Sequence, residues 1–279
     1  MEKFSVLMSL YIKEKAEYFD ECMQSLLSQT VLPNEIVIVL DGPISDEARV
    51  VLEKYIAERP SLINVVPLEK NVGLGLALRE GVVNCKNELI ARMDTDDVCR
   101  SDRFELQLKE FNNNPKLDIC GSHIIEFEKN TNNELSRRVV PLLHDDIVRY
   151  QRKRSAFNHM TVMFKKSAVL RAGNYEDCPL MEDDILWVRM ILSGAICSNI
   201  DDYLVFARTG LSMISRRGGW TYFKKYKNGK KRILKTGFIN WFTYKKTVII
   251  QFIVALMPKK IRLLFFSRML RKRSKKNNQ

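Results

Sequence analysis

The chain has 279 residues, 46% hydrophobic and 28% charged, with only 12 glycines and 8 prolines, which fits one large domain or two small ones and excludes a disordered, collagen-like or low-complexity protein. Its net charge of +13 conceals an asymmetry: Arg208 to Gln279 carries 21 Lys and Arg and no acidic residue, whereas the preceding 207 residues carry 25 basic against 33 acidic, a net of −8. We read an acidic catalytic or binding body followed by a strongly basic tail.

Phe4 to Leu10 is an apolar run of strand length, and from Ala16 to Gln29 apolar residues recur at three- and four-residue spacing, as on a one-faced helix. Glu35 to Leu40 is nearly continuous and β-branched, the pattern of a strand buried on both faces, and it stops at the turn residues Asp41-Gly42-Pro43. A helix is predicted over 46–58, a strand over 63–68, a helix over 74–83 and a strand over 88–93, followed by a helix from Asp102 to Phe111 that Asn112-Asn113-Asn114-Pro115 ends. This alternation predicts an α/β fold with a mostly parallel sheet flanked by helices. Beyond Asp118, strands are predicted over 119–127, 160–164 and 195–206, with helices over 145–152, 167–172 and 182–192. No linker-like stretch interrupts them.

The six cysteines are scattered without a C-x-x-C pair or zinc spacing, so a reducing compartment is expected. The N-terminal apolar run is too short for a signal peptide, and a cytosolic location is expected.

In open α/β sheets ligands bind at the carboxyl ends of the strands. Ser9-Leu10-Tyr11, Asp41-Gly42 and Asp94-Thr95-Asp96-Asp97 fall at three such ends. Three aspartates within four residues repel one another unless a cation sits among them, and all-oxygen ligation suits Mg²⁺ or Mn²⁺ carried with a substrate's phosphates. Asn71-Val72-Gly73-Leu74-Gly75 opens a helix whose N-terminus favours an anion. Glu182-Asp183-Asp184 opens another; helix capping explains part of this cluster, and an Asp there could serve as base toward a sugar or alcohol hydroxyl. His123, His144 and His159 are isolated and read as structural.

On these motifs, in this order and spacing over residues 4–210, the chain resembles the family 2 glycosyltransferases of the GT-A fold, of the type that assembles bacterial capsule, exopolysaccharide and O-antigen. The resemblance implies that Ser9 and Tyr11 line a nucleotide pocket with Asn71 and Gly73, that Asp41 meets a uracil ring, and that Asp94 and Asp96 meet ribose and diphosphate. It implies Asp96 or Asp97 as ligand to Mn²⁺ or Mg²⁺, Asp183 as general base, and Glu182 and Trp187 as donor or acceptor contacts. The sequence departs from the family pattern at Leu40-Asp41-Gly42-Pro43, where one acidic contact is absent, and at Ile12-Lys13-Glu14-Lys15. The function implied is inverting, metal-dependent transfer of a hexosyl group from a nucleotide sugar, UDP-linked by expectation, to a lipid-linked saccharide.

The transferase domain is expected over 1–210 and a basic amphipathic region over 211–279. Thr247 to Pro258 reaches only about 18 Å as a helix, short of the roughly 30 Å hydrocarbon core. With Ile261, Leu264, Phe265 and Met269 among Arg262, Arg268, Arg271, Lys272 and Arg273, it predicts peripheral attachment to an anionic membrane on its inner face. The alternative is a helical hairpin packed on the body. Nucleic acid is not an expected partner, because no RNA-recognition signature accompanies the tail's aromatic residues. A rival enzyme reading is a haloacid-dehalogenase-type phosphatase, in which Asp94 of Asp94-Thr95-Asp96-Asp97-Val98 would be nucleophile and Asp96 acid.

Overall fold

Every residue of β2 (Glu35–Leu40) is buried, because helices cover both faces of the sheet it occupies. The structure, a computed structural model, describes residues 2–209 and 218–258. β1 (Phe4–Leu10) runs parallel to β2 on one side, β3 (Ile63–Pro67) on the other, and β4 (Leu89–Arg92) lies parallel to β1. Side chains alternate as the pleat requires: Val6, Met8 and Leu10 enter one core and Leu7 the other. The first core is closed by α1 (Ala16–Leu27), α2 (Asp46–Glu58) and α4 (Arg103–Asn113), through residues such as Phe19, Leu52 and Phe104. Opposite lie α3 (Leu74–Asn84), α5 (His144–Gln151), α6 (Lys166–Arg171) and α7 (Glu182–Leu192), through Ala77, Ile147, Val169 and Leu186.

Past β4 the sheet changes character. β8 (Met163–Lys165) joins β4 antiparallel and is followed in space by β6 (Leu117–Phe127), β9 (Ile196–Arg208) and the two-residue β5 (Val98–Cys99). β7 (Glu134–Arg138) pairs with β6. The expected mostly parallel, helix-flanked sheet is present: β1 to β4 pair parallel, as do β6 and β9, while β8 runs antiparallel to both its neighbours. β5 and β7 are too short or too polar to show in a hydropathy pattern.

The described part of the basic tail forms a helical hairpin of α8 (Trp220–Lys235) and α9 (Trp241–Leu256), turned at Gly237. Asn240 caps α9, its side-chain oxygen accepting from Thr243 N at 2.9 Å. The hairpin packs on α7: Phe223, Ile233, Tyr244 and Val248 share a third core with Met181, Ile185 and Val188. Thr247 to Leu256 belongs to α9, and among the described residues no helix is long and apolar enough to cross a membrane. The amphipathic residues from Ile261 to Arg273 lie outside the described residues.

Candidate active site

The carboxyl ends of β1, β2 and β4 open onto a cleft of about 620 Å³. Ser9 lines it from the end of β1 and Tyr11 from just beyond, Asp41 after β2, and Asp94, Thr95 and Asp96 after β4. The loop and first turn around Asn71 to Leu76 form another wall, and Asp177 to Leu180, Glu182 and Lys225 complete the lining.

Asp41 is 4% exposed and its carboxylate shapes the wall beside it. Oδ1 accepts from Val72 N at 2.6 Å, and Oδ2 accepts from Asn71 Nδ2 at 3.0 Å and Gly73 N at 3.1 Å. Of the roughly four acceptor positions of a carboxylate, three hold the Asn71–Gly73 loop. Its first role in this structure is therefore that of loop anchor. Gly42 permits the approach: its φ is +80°, and a Cβ there would lie 2.5 Å from Asn71 N. Gly75 has the same importance for the opposite wall. A Cβ on it would lie 2.6 Å from the Glu176 carbonyl oxygen and 3.0 Å from Glu182 Cβ, so glycine lets the start of α3 touch the start of α7.

Asp94, Asp96 and Asp97 place one carboxylate oxygen each within 4.8 Å of the others. Burial, then Asp94 and Glu14, pushes Asp96 up to about 7. Asp97, 2% exposed, is raised well above the carboxylate range by burial and by Asp96 and Asp94. Its Oδ1 accepts from Arg208 N at 2.7 Å, whereas buried Oδ2 has no partner among the described residues. A buried acceptor without a donor, inside a cluster of mutually repelling carboxylates, is the environment that a hard divalent cation relieves. These residues fit Mg²⁺ or Mn²⁺.

Three consecutive acids at the start of α7 have three different surroundings. Glu182 lines the cleft, raised by burial and by Asp94, with Arg92 opposing. Asp183, partly exposed, does not line the cleft itself; burial, Asp184 and Glu182 push it up to about 8. Asp184 points away, accepting from Gln151 Nε2 at 2.8 Å and pairing with Lys230 at 3.4 Å. Trp187, expected as a ligand contact, is instead a core residue. It is 1% exposed and lies edge-on to Phe157 and His159, with ring centroids 5.6 and 5.8 Å away, because this face of α7 turns inward.

Four site residues escape a sequence reading. Arg92, 1% exposed, ion-pairs with Asp94, and its Nε and Nη1 have no partner among the described residues. Glu14 accepts from Thr95 Oγ1 at 2.7 Å inside the cleft and is raised by burial. Lys225, exposed on α8, is the cation nearest the cleft's outer wall. Arg208 carries the acidic loop: its Nε donates to the Asp96 carbonyl oxygen at 2.9 Å, it pairs with Glu21, and its guanidinium lies 4.0 Å from the Tyr18 ring and 4.6 Å from that of Phe127. Only Arg92, two residues before the aspartates, had a sequence signal; the others arrive by tertiary packing, Glu14 from a loop, Arg208 from a strand end and Lys225 from a helix.

The chain matches the family described as Glycosyl transferase family 2 over residues 5–177. It is 40% identical over 261 residues to the amylovoran biosynthesis glycosyltransferase AmsE of Erwinia amylovora, covering 92% of this chain and 96% of that protein. It is 33% identical over 270 residues to the UDP-Gal:alpha-D-GlcNAc-diphosphoundecaprenol beta-1,3-galactosyltransferase of Escherichia coli, covering 97% of each. In fold it is similar to S. aureus TarS 1-349 in complex with UDP-GlcNAc, with a TM-score of 0.61, 18% identity, and 93% of this chain and 69% of that one covered. Against a longer TarS structure it spans 39% of that chain. The phosphatase reading of Asp94 falls with these matches, as it does with β4 being the fourth strand and Asp94 being paired to Arg92. The chain is an enzyme and belongs to glycosyl transferase family 2.

Proposed function

We propose that the protein is an inverting, metal-dependent hexosyltransferase that moves a sugar from a UDP-linked donor to a lipid-linked saccharide in surface-polysaccharide synthesis. The observation that carries this reading is the gathering of Asp94, Asp96 and Asp97 at the end of β4, the first two lining a cleft whose other walls include Ser9, Tyr11 and the Asn71–Gly73 loop. AmsE is named for amylovoran biosynthesis and the Escherichia coli relative for a UDP-galactose donor and a diphosphoundecaprenol acceptor; both support the donor and acceptor classes.

Asp96 and Asp97, assisted by Asp94, would hold Mn²⁺ or Mg²⁺, which when bound supplies positive charge to the diphosphate leaving group. Ser9, Tyr11, Asn71 and Gly73 line the nucleotide's side of the cleft, with Asp41 fixing their loop. Lys225 adds a cation where the diphosphate develops charge. Asp183, the base, takes the proton of the acceptor hydroxyl as its oxygen attacks the anomeric carbon from the face opposite the departing UDP. A value near 8 keeps that carboxylate a competent base close to neutral pH. One displacement inverts the anomeric centre. Glu182, beside it on the cleft wall, borders the sugar.

The 1–210 segment serves as transferase domain and 211–279 as the membrane-facing part, at the inner face of the cell membrane. Its described portion supports this: α9 exposes Trp241, Phe242, Ile249, Ile253 and Leu256. Incubation with Mn²⁺ and a panel of nucleotide sugars tests the reading. Slow release of UDP from one UDP-sugar supports it; release of inorganic phosphate from phosphomonoesters, with no nucleotide sugar consumed, contradicts it.

A further inference from the structure

A second cavity of about 600 Å³ lies behind the start of α7, between α8, α9 and the segment from Lys153 to Ser155. Glu182 lines the donor cleft and Asp184 lines this one, and Asp183 is the residue that joins them in the chain. Helix α8 divides them in the same way: Lys225 borders the cleft, Tyr226 and Lys230 the cavity.

The cavity carries Arg138, Lys153, Arg154, Lys230 and Lys246 against the single carboxylate Asp184. Lys230, 1% exposed, is matched to Asp184, and Lys153, Arg154 and Lys246 stand around the same concavity. Gln251, also on the wall, has a side-chain nitrogen with no acceptor among the described residues. The remaining wall is apolar, with Phe242, Ile250 and Val254 from α9, and it continues onto exposed Trp241, Ile249 and Ile253 of the same helix. Such a surface is complementary to an amphiphile with a phosphate-rich head and a hydrocarbon tail, not to a saccharide alone or to a flat bilayer.

We infer that this cavity seats the phosphate head of the lipid-linked acceptor. Arg154, Lys153 and Lys246 meet the diphosphate, Phe242, Ile250 and Val254 flank the first part of the chain, and the saccharide end is directed toward Asp183. The inference rests on the proposal that the acceptor is lipid-linked, and it assigns that acceptor a place distinct from the donor's.

Farnesyl diphosphate and inorganic pyrophosphate, each titrated into the full chain with chelator present, test it; without a divalent ion the acidic cluster of the donor cleft repels both. The wild type should bind farnesyl diphosphate at least tenfold more tightly than pyrophosphate, and Arg154→Glu with Lys246→Glu should lose at least tenfold for it at an unchanged melting temperature. Phe242→Ala with Ile250→Ala should reduce the preference for farnesyl diphosphate while pyrophosphate binding stays. Equal binding of the two ligands overturns the inference, as does wild-type affinity in the charge-reversed protein, or binding confined to phosphatidylglycerol vesicles. UDP titrated with Mn²⁺ in the wild type reads the donor site separately: binding of UDP without farnesyl diphosphate overturns only the acceptor cavity, and the reverse overturns only the donor assignment.

Discussion

Glu182 and Asp183 are neighbours in sequence, yet the former lines the donor cleft and the latter does not. Removing its charge isolates the base: Asp183→Asn should lower kcat about 10²- to 10⁴-fold, the range for a general base, while UDP binding survives. Lost UDP binding as well would mark the residue as structural. Its pH dependence has a definite sign. Because burial and its acidic neighbours raise the carboxyl to about 8, it is protonated and idle in acid, and kcat should climb with pH to half its maximum near 8. A rate that falls over pH 6 to 8 would exclude this base. Asp96, raised to about 7, gives a matching stability effect in the metal-free protein. Its folded form holds a proton that the unfolded chain releases near the ordinary carboxylate value, so its contribution is full in acid and is lost as pH rises through about 7. The melting temperature of metal-free wild type should therefore fall from pH 5 to 8 more steeply than that of Asp96→Asn; equal slopes would contradict the assignment.

At the scale of elements, the site depends on close approaches that glycine permits. Gly75→Val drives a side chain into the Glu176 carbonyl and Glu182 Cβ, and should cost about 1–3 kcal/mol as overpacking does, with kcat reduced because the start of α7 is displaced. Thermal melting and steady-state rates on the same preparation check both. Helix α9 has a buried seam of Tyr244 and Val248 and an exposed apolar face. Trp241→Ser, Ile249→Ser and Ile253→Ser together should weaken sedimentation with anionic liposomes more than tenfold, since burying a large apolar side chain is worth about 1.5–3 kcal/mol, and should leave the fold intact. Unchanged sedimentation would count against a membrane role for this face.

These elements also show what a sequence can reveal. β1, β2 and β4 were legible because both faces are buried and apolar runs mark them; α7 was legible from its acidic start. The acidic cluster was legible for the same reason, since three aspartates after an apolar strand conflict with local stability unless they serve a ligand. Trp187 was misplaced because an aromatic residue one turn past a functional cluster looks alike on either helix face; only the rings packed around it decide. Glu14 and Arg208 reach the site from 81 residues before and 111 residues after their partners Thr95 and Asp97, a pairing that no local pattern records.

For the whole molecule, the fold sets an acidic donor cleft bordered by Glu182 and a basic apolar cavity bordered by Asp184, with the tail's hairpin contributing to both walls. The central claim is that the acidic cluster binds a nucleoside diphosphate through a divalent ion. Titrating UDP calorimetrically into wild type with Mn²⁺, into wild type with chelator, and into Asp96→Asn with Mn²⁺ tests it most directly. The account predicts binding in the first case and a loss of at least tenfold in the other two; equal affinity in all three would contradict it.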